Sequence, residues 1–182
     1  ILYRNYAHLG NVQDISFYTL LIRNGVLICK LKDSPLIVMT THLVTDFEFD
    51  WSPENKLYEI VADQVKQAAE TVNEFGRKGT DIIITGDFNM AKNSKLYTQF
   101  LETTKATDAL GHHTSPTYYK NHLPYPFKSK RSARIDFIFY TTTEQQITVT
   151  ESKHFFDQKL PISYTQKSYL SDHIGIQATF GL

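Results

Sequence analysis

Four short apolar runs in this sequence each adjoin an acid or an imidazole. Leu36-Ile37-Val38-Met39-Thr40-Thr41 gives way to His42-Leu43, and Asp81-Ile82-Ile83-Ile84-Thr85 gives way to Gly86-Asp87-Phe88-Asn89. Asp136 is set inside Ile135-Asp136-Phe137-Ile138-Phe139, and Ser171-Asp172-His173 stands directly before Ile174 to Phe180. Ionisable groups at the end of a buried strand are costly unless they are paired or coordinate something. Four such places in 182 residues point to one sheet whose strands deliver a polar cluster to a single rim. A chain of this length suits one domain, here residues 1–182, and buries roughly two thirds of its unfolded surface.

The remaining pattern is consistent with a sheet and two helices. Phe17 to Ile22 is β-branched and aromatic, and Asn24-Gly25 before Val26 to Leu31 is a hairpin signal. The run 36–41 lacks alternation, which predicts a strand buried on both faces. Ser52 suits an N-cap, Pro53 the first helical position, and Leu57, Ile60, Val61, Val65, Ala68, Val72 and Phe75 form one apolar stripe ending at Gly76. A second helix is expected from about Ser94 to Glu102. Strands are expected over 134–140, 145–151 and 174–180, with irregular stretches over 111–133 and 152–171. The class is α/β or α+β with a sheet core.

Composition removes several functions. Lys plus Arg and Asp plus Glu both total 19, so the formal net charge is zero; non-specific binding to nucleic acid needs many phosphates neutralised at once. The single cysteine, Cys29, rules out an internal disulfide framework and reads as a small buried side chain. No apolar stretch approaches the ~20 residues of a membrane span. No signal peptide is legible, which leaves an intracellular protein or one whose signal has been removed.

Taken singly, each polar signature has a plain structural role open to it. His42 can cap a strand, Asp172 can form an Asx turn, and Asp136 can be a satisfied core carboxylate. Gly86-Asp87-Phe88-Asn89 says most, because Gly permits close backbone approach and residues two apart on a strand point the same way. Other features have two readings. The aromatics Phe47, Phe49 and Trp51, then Tyr118, Tyr119, Tyr125 and Phe127, then Phe155, Phe156 and Tyr164 suit a lipid interface or simply pack loops onto the core. Lys128, Lys130, Arg131 and Arg134 form a basic run that suits anionic lipid, a nucleic-acid backbone or plain solvent. His112, His113, His122 and His154 lack metal-ligand spacing and read as loop residues.

In combination and order, His-Leu, Gly-Asp-Phe-Asn, Arg-Ile-Asp-Phe and Ser-Asp-His resemble the endonuclease/exonuclease/phosphatase superfamily of metal-dependent phosphoesterases. The Arg-Asn-Gly-Val-Leu turn, Pro124-Tyr125-Pro126-Phe127 and Leu170-Ser171-Asp172-His173 are most similar to its neutral sphingomyelinase branch. The resemblance implies a two-layer β-sandwich flanked by helices and Mg²⁺-dependent hydrolysis of a phosphodiester by an in-line water. It implies His173 as general base oriented by Asp172, Asp87 and Asn89 aligning water and phosphate, and His42 as a donor to the phosphate held and kept protonated by Asp136. Asp172 and Asp87 are the expected partial or water-mediated metal ligands. The principal ligand of the family, a Glu, and an early Asn belong upstream of Ile1, since Glu48 and Glu54 follow the His42 strand. The chain, which begins without Met, is therefore expected to be the later part of a longer or nicked domain whose N-terminal portion is a partner. The implied partner is a phospholipid at a membrane surface. A nuclease or soluble phosphate-ester hydrolase of the same superfamily is the first alternative. A binding module without the metal-binding Glu is the second.

Overall fold

The computed structural model describes residues 1–6, 24–46, 48–76, 79–122, 131–143, 147–164 and 166–181. Six strands form the main sheet: β1 (Leu2–Asn5), β2 (Gly25–Lys30), β3 (Ile37–His42), β4 (Ile82–Asp87), β5 (Thr107–Asp108) and β6 (Asp136–Thr141). Their spatial order is β1-β2-β3-β4-β6-β5. Among the described strands of this sheet only β3 and β4 run parallel. Helix α1 (Tyr58–Gly76) makes the crossover that parallel neighbours require. A second helix, α2 (Lys95–Thr104), is capped by the Ser94 hydroxyl, which accepts from the Tyr97 amide. Two further ribbons complete the fold. β7 (Thr148–Phe155) pairs antiparallel with β10 (Gly175–Gly181), and β8 (Leu160–Pro161) pairs with β9 (Lys167–Ser168).

The two faces of the main sheet differ. Ile28, Met39, Ile82, Ile84, Phe137 and Phe139 pack with the apolar stripe of α1 and with Phe88 and Phe100 in the principal core. On the opposite face Ile83, Ile138 and Tyr140 pack against Val149, Ile176, Ala178 and Phe180 of the β7–β10 ribbon. This is the two-layer arrangement with helices outside that the sequence implied.

Several expectations change. β3 is not buried on both faces: Ile37, Met39 and Thr41 are buried while Thr40 and His42 are exposed. The β7–β10 ribbon covers the β4–β6 side of that face, and Val38 is only half-buried. Cys29 is half-buried on the same face rather than in the core. α1 begins at Tyr58, not at Pro53. Asn55 intercepts the first turn, accepting from the Leu57 amide at 2.8 Å while its amide donates to Asp46 and to the Asp50 carbonyl. The stretch 152–171 is not wholly irregular: β7 continues to Phe155 and the β8–β9 hairpin follows. Pro161 in a two-residue edge strand hides that hairpin from a β-propensity reading. The strand read over Phe17 to Ile22 lies outside the described residues; β2 itself pairs with β1 and β3.

Gly86 is where the parallel pair is tightest. Its φ is +145°, and a Cβ there would lie 1.9 Å from the Thr41 carbonyl oxygen. Gly86→Ala is therefore expected to destabilise by more than the ~1–3 kcal/mol of a strained backbone alone. At Gly79, whose φ is +67°, a Cβ meets nothing within 4 Å, so Gly79→Ala should cost only the ~1–2 kcal/mol of a left-handed backbone. Denaturant unfolding of both variants checks the contrast; equal losses would contradict it.

Candidate active site

Register builds this site. In the β3–β4 ladder His42 is opposite Asp87, and in the β4–β6 ladder Asp87 is opposite Asp136. Paired residues point to the same face, so His42, Asp87 and Asp136 form one row across three strands, on the face away from the helices. His173 joins them from the segment just before β10. Tyr118 bridges to both Ala133 and His173, which brings the segment before β10 against the segment before β6.

The contacts are specific. His173 donates from Nδ1 to Asp136 Oδ2 at 2.9 Å, and its Nε2 lies 4.0 Å from Asp87 Oδ2. His42 Nε2 is 3.6 Å from the same Asp87 oxygen. Asp87 Oδ1 accepts from the Asn89 amide at 2.9 Å. Asp172 adjoins the group, its backbone carbonyl accepting from the Tyr119 amide at 2.8 Å, and its charge contributes to the titration of both Asp87 and His173. All six residues singled out from the sequence thus reach one rim.

The expected pairings within the rim are corrected. Asp136 holds His173, not His42, and the hydrogen bond on the His173 ring comes from Asp136, not Asp172. The reason is the ladder: Asp136 is separated from His42 by β4. His42 is not held protonated: although its side chain is half exposed, partial desolvation at the rim and then repulsion by His173 lower its pKa, against the pull of Asp136. Asn89 does not continue strand alternation. It sits in the left-handed region at φ 45°, and its side-chain amide donates to the Leu43 carbonyl at 2.9 Å and to Thr45 Oγ1 at 3.2 Å.

Electrostatics set the site apart from an ordinary surface. Burial, then repulsion by Asp136, pushes the Asp87 carboxyl up to about 7. Burial alone would lower the His173 imidazole, but its hydrogen bond to Asp136 and the charges of Asp136, Asp87 and Asp172 outweigh this and raise it to about 9. One ligand atom each from Asp87, Asp136 and His173 lie within 4.8 Å of one another. Two crowded carboxylates with a third acid close by make a donor set that a hard divalent cation fits. Asp172, expected as a ligand beside Asp87, is outside that close triple.

Other readings resolve around the site. Phe49, Trp51 and Tyr118 pack together, with Phe49 5.3 Å from Trp51 and 5.0 Å from Tyr118. Trp51 Nε1 donates to the Asn89 carbonyl. These aromatics brace the loops beneath the rim. Arg134 is no surface cation: it makes a bidentate pair with Asp108 at 2.7 and 2.8 Å, both side chains buried, beneath a third contact from Tyr97. A charge run reports composition, and the partner lies 26 residues upstream, so no local pattern reveals it. Asp108 is a structural residue the sequence reading missed. Phe47, Tyr125, Phe127, Lys128 and Lys130 lie outside the described residues. His154 lies on β7, not in a loop, and stacks on His113 at 5.1 Å.

No protein-family model matches the chain, and no curated protein matches it. Solved structures do. An endonuclease/exonuclease/phosphatase family protein from Bacteroides thetaiotaomicron aligns with a TM-score of 0.56 at 19% identity, over 80% of this chain and 48% of that one. D. rerio TDP2 complexed with a single-strand DNA product aligns with a TM-score of 0.60 at 19% identity, over 100% of this chain and 77% of that one. A mannosyl-6-phosphatase of B. thetaiotaomicron aligns with a TM-score of 0.58 at 19% identity, over 81% of this chain and 51% of that one. The chain has the endonuclease/exonuclease/phosphatase fold, and it spans about half the length of the two Bacteroides proteins.

The two raised pKa values carry a sign. Asp87 rises from 3.8 to about 7 and His173 from 6.5 to about 9. A group whose folded-state pKa is raised stabilises the fold below its unfolded value and loses that contribution as pH climbs through the folded value. In chelator these two groups should therefore make the melting temperature fall from about pH 4 to about pH 9, Asp87 acting between 3.8 and about 7 and His173 between 6.5 and about 9, with Asp87→Asn flattening the lower part of the decline. A thermal scan series checks this; a rise over the same window would contradict it.

Proposed function

We propose that this chain carries the catalytic centre of a divalent-cation-dependent phosphodiesterase acting on a phospholipid headgroup at a membrane surface, as sphingomyelinases do. The observation that carries the hydrolytic part is the Asp136–His173 pair. A carboxylate holding Nδ1 fixes the tautomer and turns Nε2 toward Asp87, the arrangement of an oriented general base. A cation on the carboxylates supplies neutralisation of the phosphate oxygens and a more acidic bound water; Mg²⁺ is the cation expected. His42, kept neutral, presents an N–H donor at the same rim to a non-bridging oxygen. Against burial, the charges of Asp136, Asp87 and Asp172 hold His173 protonated; a cation on these carboxylates would offset that pull. His173, then neutral, takes the proton of the attacking water at Nε2, with Asp136 stabilising the imidazolium that results.

The lipid assignment is supported by the β8–β9 hairpin, which immediately precedes Asp172. Phe156 is 61% exposed, Ile162 55% and Leu170 64%, and Tyr164 is fully exposed. Apolar and aromatic side chains raised into solvent beside Lys159 and Lys167 suit an interface with a bilayer. A second reading, cleavage of single-stranded nucleic acid, is favoured by the likeness to D. rerio TDP2 with a single-strand DNA product, which covers the whole of this chain and 77% of that one. Zero net charge weighs against it.

The test is turnover by the full-length protein, with and without Mg²⁺, on sphingomyelin vesicles, phosphatidylcholine vesicles and a single-stranded oligonucleotide. Metal-dependent release of phosphocholine from sphingomyelin is expected, and preferential cleavage of the oligonucleotide would establish the second reading. No turnover on any of them would leave a binding module. His173→Ala should lower turnover by ~10²–10⁴-fold with the fold intact. Ile162→Asp combined with Tyr164→Asp should reduce vesicle hydrolysis while sparing hydrolysis of bis(p-nitrophenyl) phosphate in solution. Equal losses on both substrates would remove the hairpin from the interface.

A further inference from the structure

Asp136 opens β6 of the main sheet, whereas His173 precedes β10 of the smaller ribbon. The two layers pack through Ile138 and Tyr140 against Ile176 and Phe180. Among the described residues no strand ladder joins them, yet the side chains of Asp136 and His173 meet at 2.9 Å. The element they share is the pair Thr117-Tyr118. Thr117 is completely buried. Its single hydroxyl oxygen accepts from two successive amides, Ile135 at 3.1 Å and Asp136 at 3.0 Å. Its carbonyl accepts from the Ile174 amide at 2.7 Å, and its own amide donates to the Ala133 carbonyl at 3.1 Å. Tyr118 exchanges backbone hydrogen bonds with Ala133 and sets its ring edge-on to His173 at 5.3 Å between centroids.

We infer that Thr117 is a positioning residue for the Asp136–His173 pair, its hydroxyl and carbonyl clamping the backbone on either side of that bond. The clamp joins the two sheets directly beneath the reacting groups. An isosteric side chain without an oxygen takes this acceptor from the buried Ile135 amide and the half-buried Asp136 amide, which is costly, and the relief available is to shift the start of β6. A shift of an ångström at an oriented base costs catalysis far more than it costs substrate binding. Nothing in the inference requires Thr117 to touch substrate or cation. Its catalytic consequence rests on the function proposed above, whereas its geometric consequence does not.

The test compares Thr117→Val, Thr117→Ser and Thr117→Ala with the wild type in two independent readouts. The first is the far-downfield proton resonance of the His173 Nδ1–H donated to Asp136, identified by its loss in His173→Ala. The second is kcat and KM for bis(p-nitrophenyl) phosphate with Mg²⁺. Thr117→Val should lose or markedly shift the resonance and lower kcat on the order of 100-fold with KM little changed. Thr117→Ser, which keeps the oxygen, should restore both. If the Val variant does not fold, Thr117→Ala against Thr117→Ser makes the same comparison, with the melting temperature reporting on the fold. A folded Val or Ala variant with an unaltered resonance would overturn the inference, as would a Ser variant as impaired as Val. If the wild type turns over no phosphodiester, the resonance alone decides Thr117, and it is the proposed function that fails.

Discussion

The parallel pairing of β3 and β4 is the constraint on which the site depends. Two adjacent parallel strands end at the same edge of a sheet, so whatever follows their last apolar residue emerges side by side. Here that is His42 and Asp87. Antiparallel β6 starts at that edge, which adds Asp136 to the row. The result places two carboxylates opposite one another on neighbouring strands, an arrangement that is unfavourable for stability. Burial makes it worse, and the raised pKa of Asp87 records the cost. The rest of the fold supports this row with interactions that have no part in chemistry: the aromatic cluster of Phe88, Phe100, Phe137 and Phe139 under one face, and the buried Asp108–Arg134 pair two residues before Asp136. Breaking such a buried pair from one side would leave an uncompensated charge beside the start of β6.

Much of this was legible in the sequence because the signals are local. Alternation and apolar runs marked β2, β3, β4, β6 and β10, and the 3.6-residue stripe marked α1. Acids and imidazoles beside those runs marked the rim. What was not legible is which rim residue meets which. Asp172 adjoins His173 in sequence, yet Asp136, 37 positions away, makes the hydrogen bond. Adjacent residues in an extended segment point in opposite directions, whereas a partner from another sheet can point straight at the ring. The same blindness hid the burial of Arg134 and the role of Thr117, both defined by partners 18 or more residues distant. The start of α1 escapes a local reading for a related reason, since Asn55 is engaged by Asp46, nine positions upstream.

Hydrogen-bond satisfaction separates scaffold from machinery among the six rim residues. Asn89 has its side-chain amide committed to Leu43 and Thr45, its backbone amide to Asp87 and its carbonyl to Trp51. It is almost completely buried, so its principal work is to hold the β4 exit against the β3 exit. Asp136 faces inward to His173 and is anchored through its amide. His42 and Asp87 differ. They approach each other only at 3.6 Å, too long for a hydrogen bond, and His42 is exposed. Groups at the edge of a sheet that are crowded, incompletely paired and shifted in pKa are those whose missing partners a substrate or a cation supplies. On that reasoning Asp87, His42 and the Nε2 face of His173 are the groups this rim leaves open to a ligand. Asn89, Asp136 and the buried residues behind them keep that surface in shape while its charges are unbalanced.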